Sequence, residues 1–146
     1  MAKMTANLPD DLIKQIRKLG DRLDSVAPDM VKGGAEVLAE EVRRNVAKHS
    51  RTGGLAKSVT VGKPKKDKNQ VWRCQVYFKG KSKTLQRDDG AIVQRKKPVS
   101  YSQIAMHEEY GTSKEAASPN VRTALETSKE KIEGRMRYEF QQGTKE

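Results

Sequence analysis

The sequence predicts an α+β fold, with a small antiparallel sheet of about three to four strands and helices packed on one face. Near both ends of the chain, apolar residues recur every three or four positions, which is typical of amphipathic helices. Between them, apolar and polar residues alternate over 55–61 and 71–78, which is typical of half-buried strands. A length of 146 residues suits one domain, so we expect a single domain over 1–146.

Two helices are expected before residue 50, and Pro28 separates them. The first covers 10–24 and begins at Asp10, because acidic side chains favour the first turn of a helix. Its apolar stripe consists of Leu12, Ile16, Leu19 and Leu23. Pro28 lacks a backbone N–H, which predicts the end of this helix. The second helix covers 29–48. Its apolar stripe consists of Val31, Ala35, Leu38, Val42 and Val46.

Strands are expected from residue 55 to residue 100. A turn at Gly53-Gly54 precedes the first strand, over 55–61, and a lysine-rich loop follows it. The clearest alternation lies over 71–78. Its shared apolar face consists of Trp72, Cys74, Val76 and Phe78. Cys74 is expected to be a small core residue rather than a nucleophile.

The positive charge of the chain lies in its middle. The net charge is +11, and residues 42–100 alone carry 17 basic and 3 acidic side chains. Such a block attracts polyanions or an acidic protein face, and a solvated, solubilising surface explains it equally well. Residues 79–98 are the most polar part. Asp89-Gly90 would close a long hairpin there, and a mobile basic loop fits the same composition.

Two C-terminal helices are expected over 101–141. The first covers 101–110 and ends at Gly111, a common residue after a helix. The second begins near 119, with Ser118 as its N-cap and Pro119 in its first turn. Its apolar stripe consists of Val121, Leu125, Ile132, Met136 and Phe140.

The sequence carries no signature of a catalytic, cofactor or metal site. It contains no phosphate-binding loop, dinucleotide fingerprint or nucleophile elbow. The single cysteine excludes a disulfide framework and fits a reducing cytosol. His107, Glu108 and Glu109 are consecutive, so on a helix they diverge by about 100° each and do not converge on one ion. His49 is expected to stabilise the end of the second helix.

Three stretches of the sequence together resemble a known family. They are Thr52-Gly53-Gly54-Leu55 with Ser58, then Tyr101 with Glu109-Tyr110-Gly111-Thr112, and then Pro119, Val121, Arg122, Ala124 and Leu125. In this order they resemble the tail-completion, or head–tail joining, proteins of long-tailed bacteriophages, often labelled minor tail components. The resemblance covers roughly residues 30–140. The chain departs from the pattern at His49-Ser50-Arg51, where Pro-Val-Asp is common, at Asn120, where an aromatic is common, and in a longer segment at 79–98.

The resemblance implies a structural protein of the virion, made in the cytoplasm of the bacterial host, without catalysis or a cofactor. Its partners would be other copies of itself, in a hexameric ring, and the neighbouring neck and tail-tube proteins of the phage. The residues expected to shape turns are Thr52, Gly53, Gly54, Leu55, Gly111, Thr112 and Pro119. The residues expected to face a partner, or DNA in the channel of the ring, are Arg87, Arg95, Lys96, Lys97 and Arg122.

Two alternatives remain at the level of sequence. The central basic segment would also suit a protein that binds nucleic acid without sequence preference, through phosphate contacts. Aromatic residues make up only 5% of the chain, which disfavours recognition of single strands by stacking. A small nuclease is disfavoured further, because it would need a metal or histidine centre. No membrane partner is expected, because no apolar run approaches the length of about 18 residues that a span requires, and the N-terminus lacks the apolar core of a signal peptide.

Overall fold

The computed structural model describes residues 10–49 and 53–145. Its elements are α1 (Asp10–His49), α2 (Gly54–Ser58), β1 (Val59–Val61), β2 (Lys65–Lys66), β3 (Trp72–Arg73), β4 (Val76–Phe78), β5 (Lys81–Gln86), β6 (Ile92–Ser100), α3 (Tyr101–Tyr110) and α4 (Asn120–Thr144). The strands pair antiparallel and the helices pack against them. The α+β class predicted from the sequence is confirmed.

Helix α1 runs without interruption through Pro28, so the predicted break between two helices is wrong. A proline in a helix interior removes one backbone hydrogen bond and costs about 3 kcal/mol. Packing offsets this cost, because α1 and α4 form the most extensive contact between elements of the described structure. Val26, two residues before the proline, is only 5% exposed, and Ala35, seven residues after it, is 7% exposed. Tertiary burial on both sides of Pro28 therefore keeps the helix continuous.

The first turns of α1 extend beyond the end of α4. Gly143, in the last turn of α4, lies against the side chain of Val26. The residues before Val26 consequently lack this partner, and Leu19 and Leu23 of the predicted stripe are exposed. The other two stripe positions, Leu12 and Ile16, lie outside the residues whose side chains are described.

Helix α4 packs antiparallel on α1 through small side chains. Ala39 of α1 and Ala124 and Ser128 of α4 are fully buried. Small residues allow two helices to approach closely, and packing at this density leaves no room for a large side chain. Val121 and Leu125 were predicted to face the core, and both are exposed instead. The predicted stripe of the last helix is therefore wrong at its first two positions.

The segment predicted as a strand over 55–61 is helical in its first half. Residues 54–58 form the short helix α2, and only Val59–Val61 extends as β1. Leu55 and Val59 are four residues apart, a spacing that fits a helix as well as a strand. The Ser58 hydroxyl donates to the Leu55 carbonyl oxygen at 2.6 Å, which closes the helical turn.

The strands form three two-stranded antiparallel ladders. They pair β1 with β4, β2 with β3, and β5 with β6. The segment 71–78 splits into β3 and β4 around Cys74. The predicted alternation is nevertheless confirmed, because every second residue from Trp72 to Phe78 is half-buried. Cys74 is half-buried and contacts the Gly62 carbonyl oxygen at 3.3 Å. Residues 81–100 adopt the hairpin rather than the loop.

The core lies where α1, α2, α3 and α4 meet β1. Its buried members are Ala39, Val42, Val46, Leu55, Val59, Ala105 and Ala124. Partly buried residues, among them Phe78 and Tyr101, pack around this cluster. Four of the seven are valine or alanine on the two long helices, so the buried apolar volume is small. The core position of Leu55 ties the Gly53-Gly54 turn to the centre of the fold.

Candidate functional site

The first of the three stretches that resemble the family, which includes Gly53-Gly54-Leu55 and is called here the first motif, brings α2 against α3. Thr52 lies outside the described residues. Gly53 adopts the left-handed conformation, with φ 71°, at the start of α2. Gly54 is a point of close approach, because a Cβ there would lie 2.5 Å from the Tyr101 hydroxyl oxygen. The first two stretches of the family resemblance therefore pack on each other, although they are almost 50 residues apart.

The second motif ends α3 and turns the chain towards α4. Gly111 has φ 75° and ψ 176°, and its N–H donates to the His107 carbonyl oxygen at 2.8 Å. The Thr112 N–H donates to the Glu115 carbonyl oxygen at 2.9 Å, and the Thr112 hydroxyl accepts from the backbone N–H groups of Lys114 and Glu115. Thr112 thus closes a tight loop directly after the glycine. Gly111 and Thr112 thus set the path of the backbone between α3 and α4.

The start of α4 is capped by a residue of α3. Pro119 occupies the N-cap position, where it offers no side-chain hydrogen bond, so the predicted Ser118 cap is wrong. The Glu109 carboxylate accepts instead from the backbone N–H groups of Val121 at 2.9 Å and Arg122 at 3.0 Å. A carboxylate at this place satisfies two free amides and favours the positive end of the helix dipole. Glu109 therefore joins the second and third motifs.

Sequence reasoning missed the cap provided by Glu109. Local capping rules search the residues that directly precede a helix, and Glu109 lies 12 residues before Val121. The only signal in the sequence is its place in the Glu-Tyr-Gly-Thr stretch, where a carboxylate precedes a turn that returns the chain to the next helix.

Loss of this cap is expected to weaken the α3–α4 junction. Glu109→Ala should lower the free energy of unfolding by about 1–2 kcal/mol, because two backbone N–H groups lose their acceptor and the helix loses a favourable charge. Urea denaturation followed by circular dichroism measures this change. Glu130→Ala, at an exposed position within α4, provides the matched control and should leave stability nearly unchanged. Equal effects of the two substitutions would contradict the cap.

The neighbouring carboxylate, Glu108, is half-buried between α3 and α4. Burial raises the pKa of Glu108 above its ordinary value, and the charge of His49 and the hydrogen bond from Asn120 only partly oppose this. The Asn120 side-chain amide donates to Glu108 Oε2 at 3.3 Å. The folded chain thus binds a proton at Glu108 more tightly than the unfolded chain does.

This pKa shift predicts a pH-dependent stability. Glu108 contributes most to the free energy of unfolding when the pH is below the ordinary glutamate pKa. This contribution is lost as the pH rises through the raised pKa of the folded state. Glu108→Gln keeps an acceptor for Asn120 and removes the buried charge. The stability of this variant relative to the natural chain should therefore be higher at pH 7 than at pH 4, as measured by urea denaturation. A difference that stays constant between the two pH values would contradict this.

The basic candidates lie mainly on the β5–β6 hairpin, which we call the arm (residues 81–100). Its turn is closed by Gly90, with φ 85°, and by the Asp89 carboxylate, which accepts from the Ala91 N–H at 2.9 Å. Besides pairing with each other, its strands make substantial contact within the described structure only with α3, which continues directly from β6. The arm therefore packs on the outside of the domain and is not part of its core.

The arm exposes most of its basic side chains. Arg87, Lys96 and Lys97 are exposed. Arg95 is half-buried, and its guanidinium donates to the Thr84 carbonyl oxygen at 3.0 Å, which holds the two strands together. Of the five predicted contact residues, Arg122 alone lies off the arm, with an exposed side chain in the first turn of α4.

An open groove of about 990 Å³ lies between the arm and the body of the domain. Leu85 and Arg87 line it from the arm, and Tyr101, Ile104 and Glu108 line it from α3. Across residues 10–49 and 53–145, no three His, Cys, Asp or Glu side chains are placed to hold a metal ion. Among the helices of the described structure, none is long and apolar enough to cross a membrane.

Comparison with known proteins identifies the family. A model of the family described as "Bacteriophage HK97-gp10, putative tail-component" matches residues 10–101, which is more than half of the chain. The match includes α1, all six strands and the arm, and it stops at the first residue of α3. Searches of curated proteins and of solved structures found no match. The chain belongs to the HK97-gp10-like family of bacteriophage tail components.

Proposed function

We propose that this tail component works at the junction between the phage head and tail, where it assembles into a hexameric ring and docks neck and tail-tube proteins. Family membership supports a structural role in the tail. The finer role draws on the order of the three sequence motifs and on surfaces that are exposed among the described residues of the domain. The arm is the observation that carries it.

An isolated two-stranded hairpin is at best marginally stable in water. Among the described elements the arm makes substantial contact only with α3, and near its turn it exposes two large apolar side chains, Leu85 at 43% and Ile92 at 64%. Exposed apolar surface of this kind is removed from water when another protein covers it. The arm is thus suited to be covered and stabilised by a partner in an assembled particle.

The remaining surfaces are suited to the same role. Leu19 and Leu23 are exposed on the part of α1 that extends beyond α4, and this part offers a second apolar strip to a neighbouring protein. A subunit that contacts two copies through different surfaces forms a closed ring when the rotation between copies completes a circle. A ring with exposed arms and helices can join two larger assemblies without chemical catalysis.

Phage particles made without this protein test the proposal. Negative-stain images should show filled heads and finished tails that fail to join, and the natural chain supplied in trans should restore joined, infectious particles. Ile92→Asp supplied in trans should restore fewer joined particles, while Tyr138→Asp, which changes another exposed large side chain, on α4, should restore joining fully. Normal joining and infectivity in the absence of the protein would overturn the proposal.

Non-specific binding of DNA is the second candidate function, and the exposed cations of the arm favour it. The logarithm of the association constant for duplex DNA should then fall linearly with the logarithm of the salt concentration. The slope should be about −0.9 per phosphate contacted. Fluorescence anisotropy with a labelled duplex measures this slope. Lys96→Ala/Lys97→Ala should reduce it, whereas Lys129→Ala/Lys131→Ala, which removes two exposed cations from α4, should not. Absence of binding at low salt excludes this function.

A further inference from the structure

We infer that two copies of the chain pair through the part of α1 that extends beyond α4, with the two helices antiparallel. We call residues 10–25 of α1 the helical extension. It packs against the helical extension of a second copy. The inference goes beyond the proposed ring, because a contact between two identical surfaces joins two copies and does not by itself close a circle.

The exposed leucines of the helical extension lie on the face of α1 that α4 covers farther along. At about 100° per residue, Leu19, Leu23 and Val26 fall within about 60° of one another around the helix. Val26 is buried against Gly143, in the last turn of α4. Two turns later, a Cβ on Gly33 would lie 3.1 Å from a side chain of α4. Leu19 and Leu23, 54% and 41% exposed, thus continue a face that a helix already covers.

The helical extension is attached to the domain from a different side. The Asp24 carboxylate accepts hydrogen bonds from Lys66 Nζ at 2.9 Å and from Trp72 Nε1 at 3.2 Å. Asp24 points about 100–140° around the helix from Leu19 and Leu23. The β2–β3 hairpin therefore holds the base of the helical extension and leaves its apolar face exposed.

A second helix with the same apolar spacing fits this face. In the sequence, apolar residues at positions 12, 16, 19 and 23 are separated by 4, 3 and 4 residues, which is the spacing of a coiled-coil seam. Residues 10–25 span about 24 Å before α4 begins to cover α1. The helical extension of a second copy has this length and this seam, so its own apolar face is buried by the same contact.

The position of α4 selects the antiparallel orientation. In a parallel pair, the second α1 would continue past residue 25 and collide with α4, which occupies that face at Val26. In an antiparallel pair, the second α1 begins at Asp10, opposite residue 25, and avoids α4. The seam is symmetric about a point between residues 17 and 18. Residues 19 and 23 of each copy therefore lie beside residues 16 and 12 of the other.

The charges of the helical extension do not oppose this pairing. Residues 10–25 carry four acidic and four basic side chains, and Asp24 among them is paired with Lys66. Two helical extensions therefore meet with little net repulsion. Two arms, each with six basic and two acidic side chains over 81–97, repel each other. The helical extension thus suits a contact between identical surfaces better than the arm does.

Leu19→Ala/Leu23→Ala tests the pairing. Alanine preserves the helix, so circular dichroism should be unchanged. Light scattering of the natural chain should give at least twice the 16.4 kDa mass of one chain. The variant should need a concentration more than about 100-fold higher to pair, because four leucine side chains per pair are no longer buried. Leu125→Ala, which truncates an exposed leucine of α4, is the matched control and should pair like the natural chain.

Spin labels test the antiparallel orientation. Cys74→Ser removes the natural thiol, and a label is then attached to Lys18→Cys or to Asp10→Cys, both at exposed positions. Position 18 is near the centre of the pair, whereas the two labels at position 10 are offset by about 20 Å along the helix axes. Double electron–electron resonance should therefore give a clearly longer distance for position 10 than for position 18.

Four results would overturn the inference. They are a natural chain that stays monomeric at high concentration, a Leu19→Ala/Leu23→Ala variant that pairs like the natural chain, equal label distances at positions 10 and 18, and loss of pairing in Leu125→Ala. The first would leave the leucine face to a different protein, and the last would place it on α4 of the second copy. Failure of the proposed function is distinguishable, because the joining of heads to tails is scored separately in particles that lack the protein.

Discussion

Gly111→Ala is expected to lower the free energy of unfolding by about 3 kcal/mol or more, because two separate costs act at one position. The backbone at Gly111, with φ 75° and ψ 176°, lies in a region that is essentially restricted to glycine, where strain costs about 1–3 kcal/mol. A Cβ would also lie 2.8 Å from the Ala117 nitrogen and 2.9 Å from the Glu115 oxygen. These are backbone atoms, so the loop must shift for the methyl group to fit.

A shift of this loop would reach the start of α4. Glu109 is two residues before Gly111, and its carboxylate holds the amides of Val121 and Arg122. The Ser118 N–H donates to the Glu108 carbonyl oxygen at 2.6 Å, which ties the far end of the loop to α3 as well. We therefore expect the cap of α4 to weaken together with the turn.

Gly134→Ala is the matched control for this prediction. Gly134 lies within α4, and apart from the adjacent backbone of its own helix no described atom lies within 4 Å of the position that a Cβ would occupy. Alanine in a helix interior is more stable than glycine by roughly 0.5–1 kcal/mol, so this variant should gain stability. Urea denaturation, at a concentration where the chain is monomeric, measures both variants. A Gly111→Ala variant as stable as the natural chain would show that the turn tolerates a side chain.

Leu55→Ala is expected to cost about 2–5 kcal/mol, the range found when a buried leucine is truncated. Leu55 is 4% exposed and belongs to the main apolar cluster, together with Val46 and Ala105. The largest fully buried side chains of the described residues include only valines and a serine, so this core has few large groups to compensate for a lost leucine. The cavity would lie between α2 and the long helices.

The same truncation at an exposed leucine is the control, because it removes the same atoms without leaving a cavity in the core. Leu19→Ala changes an exposed residue of α1, 54% exposed, and should alter the free energy of unfolding by less than about 0.5 kcal/mol. Both variants are measured by the same denaturation experiment. If Leu55→Ala were as harmless as Leu19→Ala, the turn motif would not be an anchor of the core.

Where neighbouring residues determine the structure, the sequence was sufficient to predict it. Helix α3 occupies residues 101–110, the range expected from its own pattern, and Gly111 follows it with a positive φ because its amide closes the last turn. A hairpin over residues 79–98 was one of two expectations. The structure has a hairpin at 81–100, and the Asp89-Gly90 turn provides the local geometry that selects it. The roles of Arg87, Lys96 and Lys97 as contact residues stay predictions.

Where the structure depends on contacts between residues far apart in the chain, the sequence was misleading. The pattern at Pro28 predicted two helices because the local cost of proline is visible in the sequence, whereas the compensating contact with α4, about 100 residues later, is not. Val121 and Leu125 were placed inside because they are apolar, yet only small side chains fit between α1 and α4 at Ala124.

By itself, the sequence determined the class of the fold, the end of α3 at Gly111 and the concentration of positive charge in the middle of the chain, because each depends on residues close together in the chain. The tertiary structure alone decided that α1 is one continuous helix, that Glu109 caps α4 and that Val121 and Leu125 are exposed. These features depend on the distance between helix axes and on which atoms fit between them, and neither quantity is encoded in local periodicity.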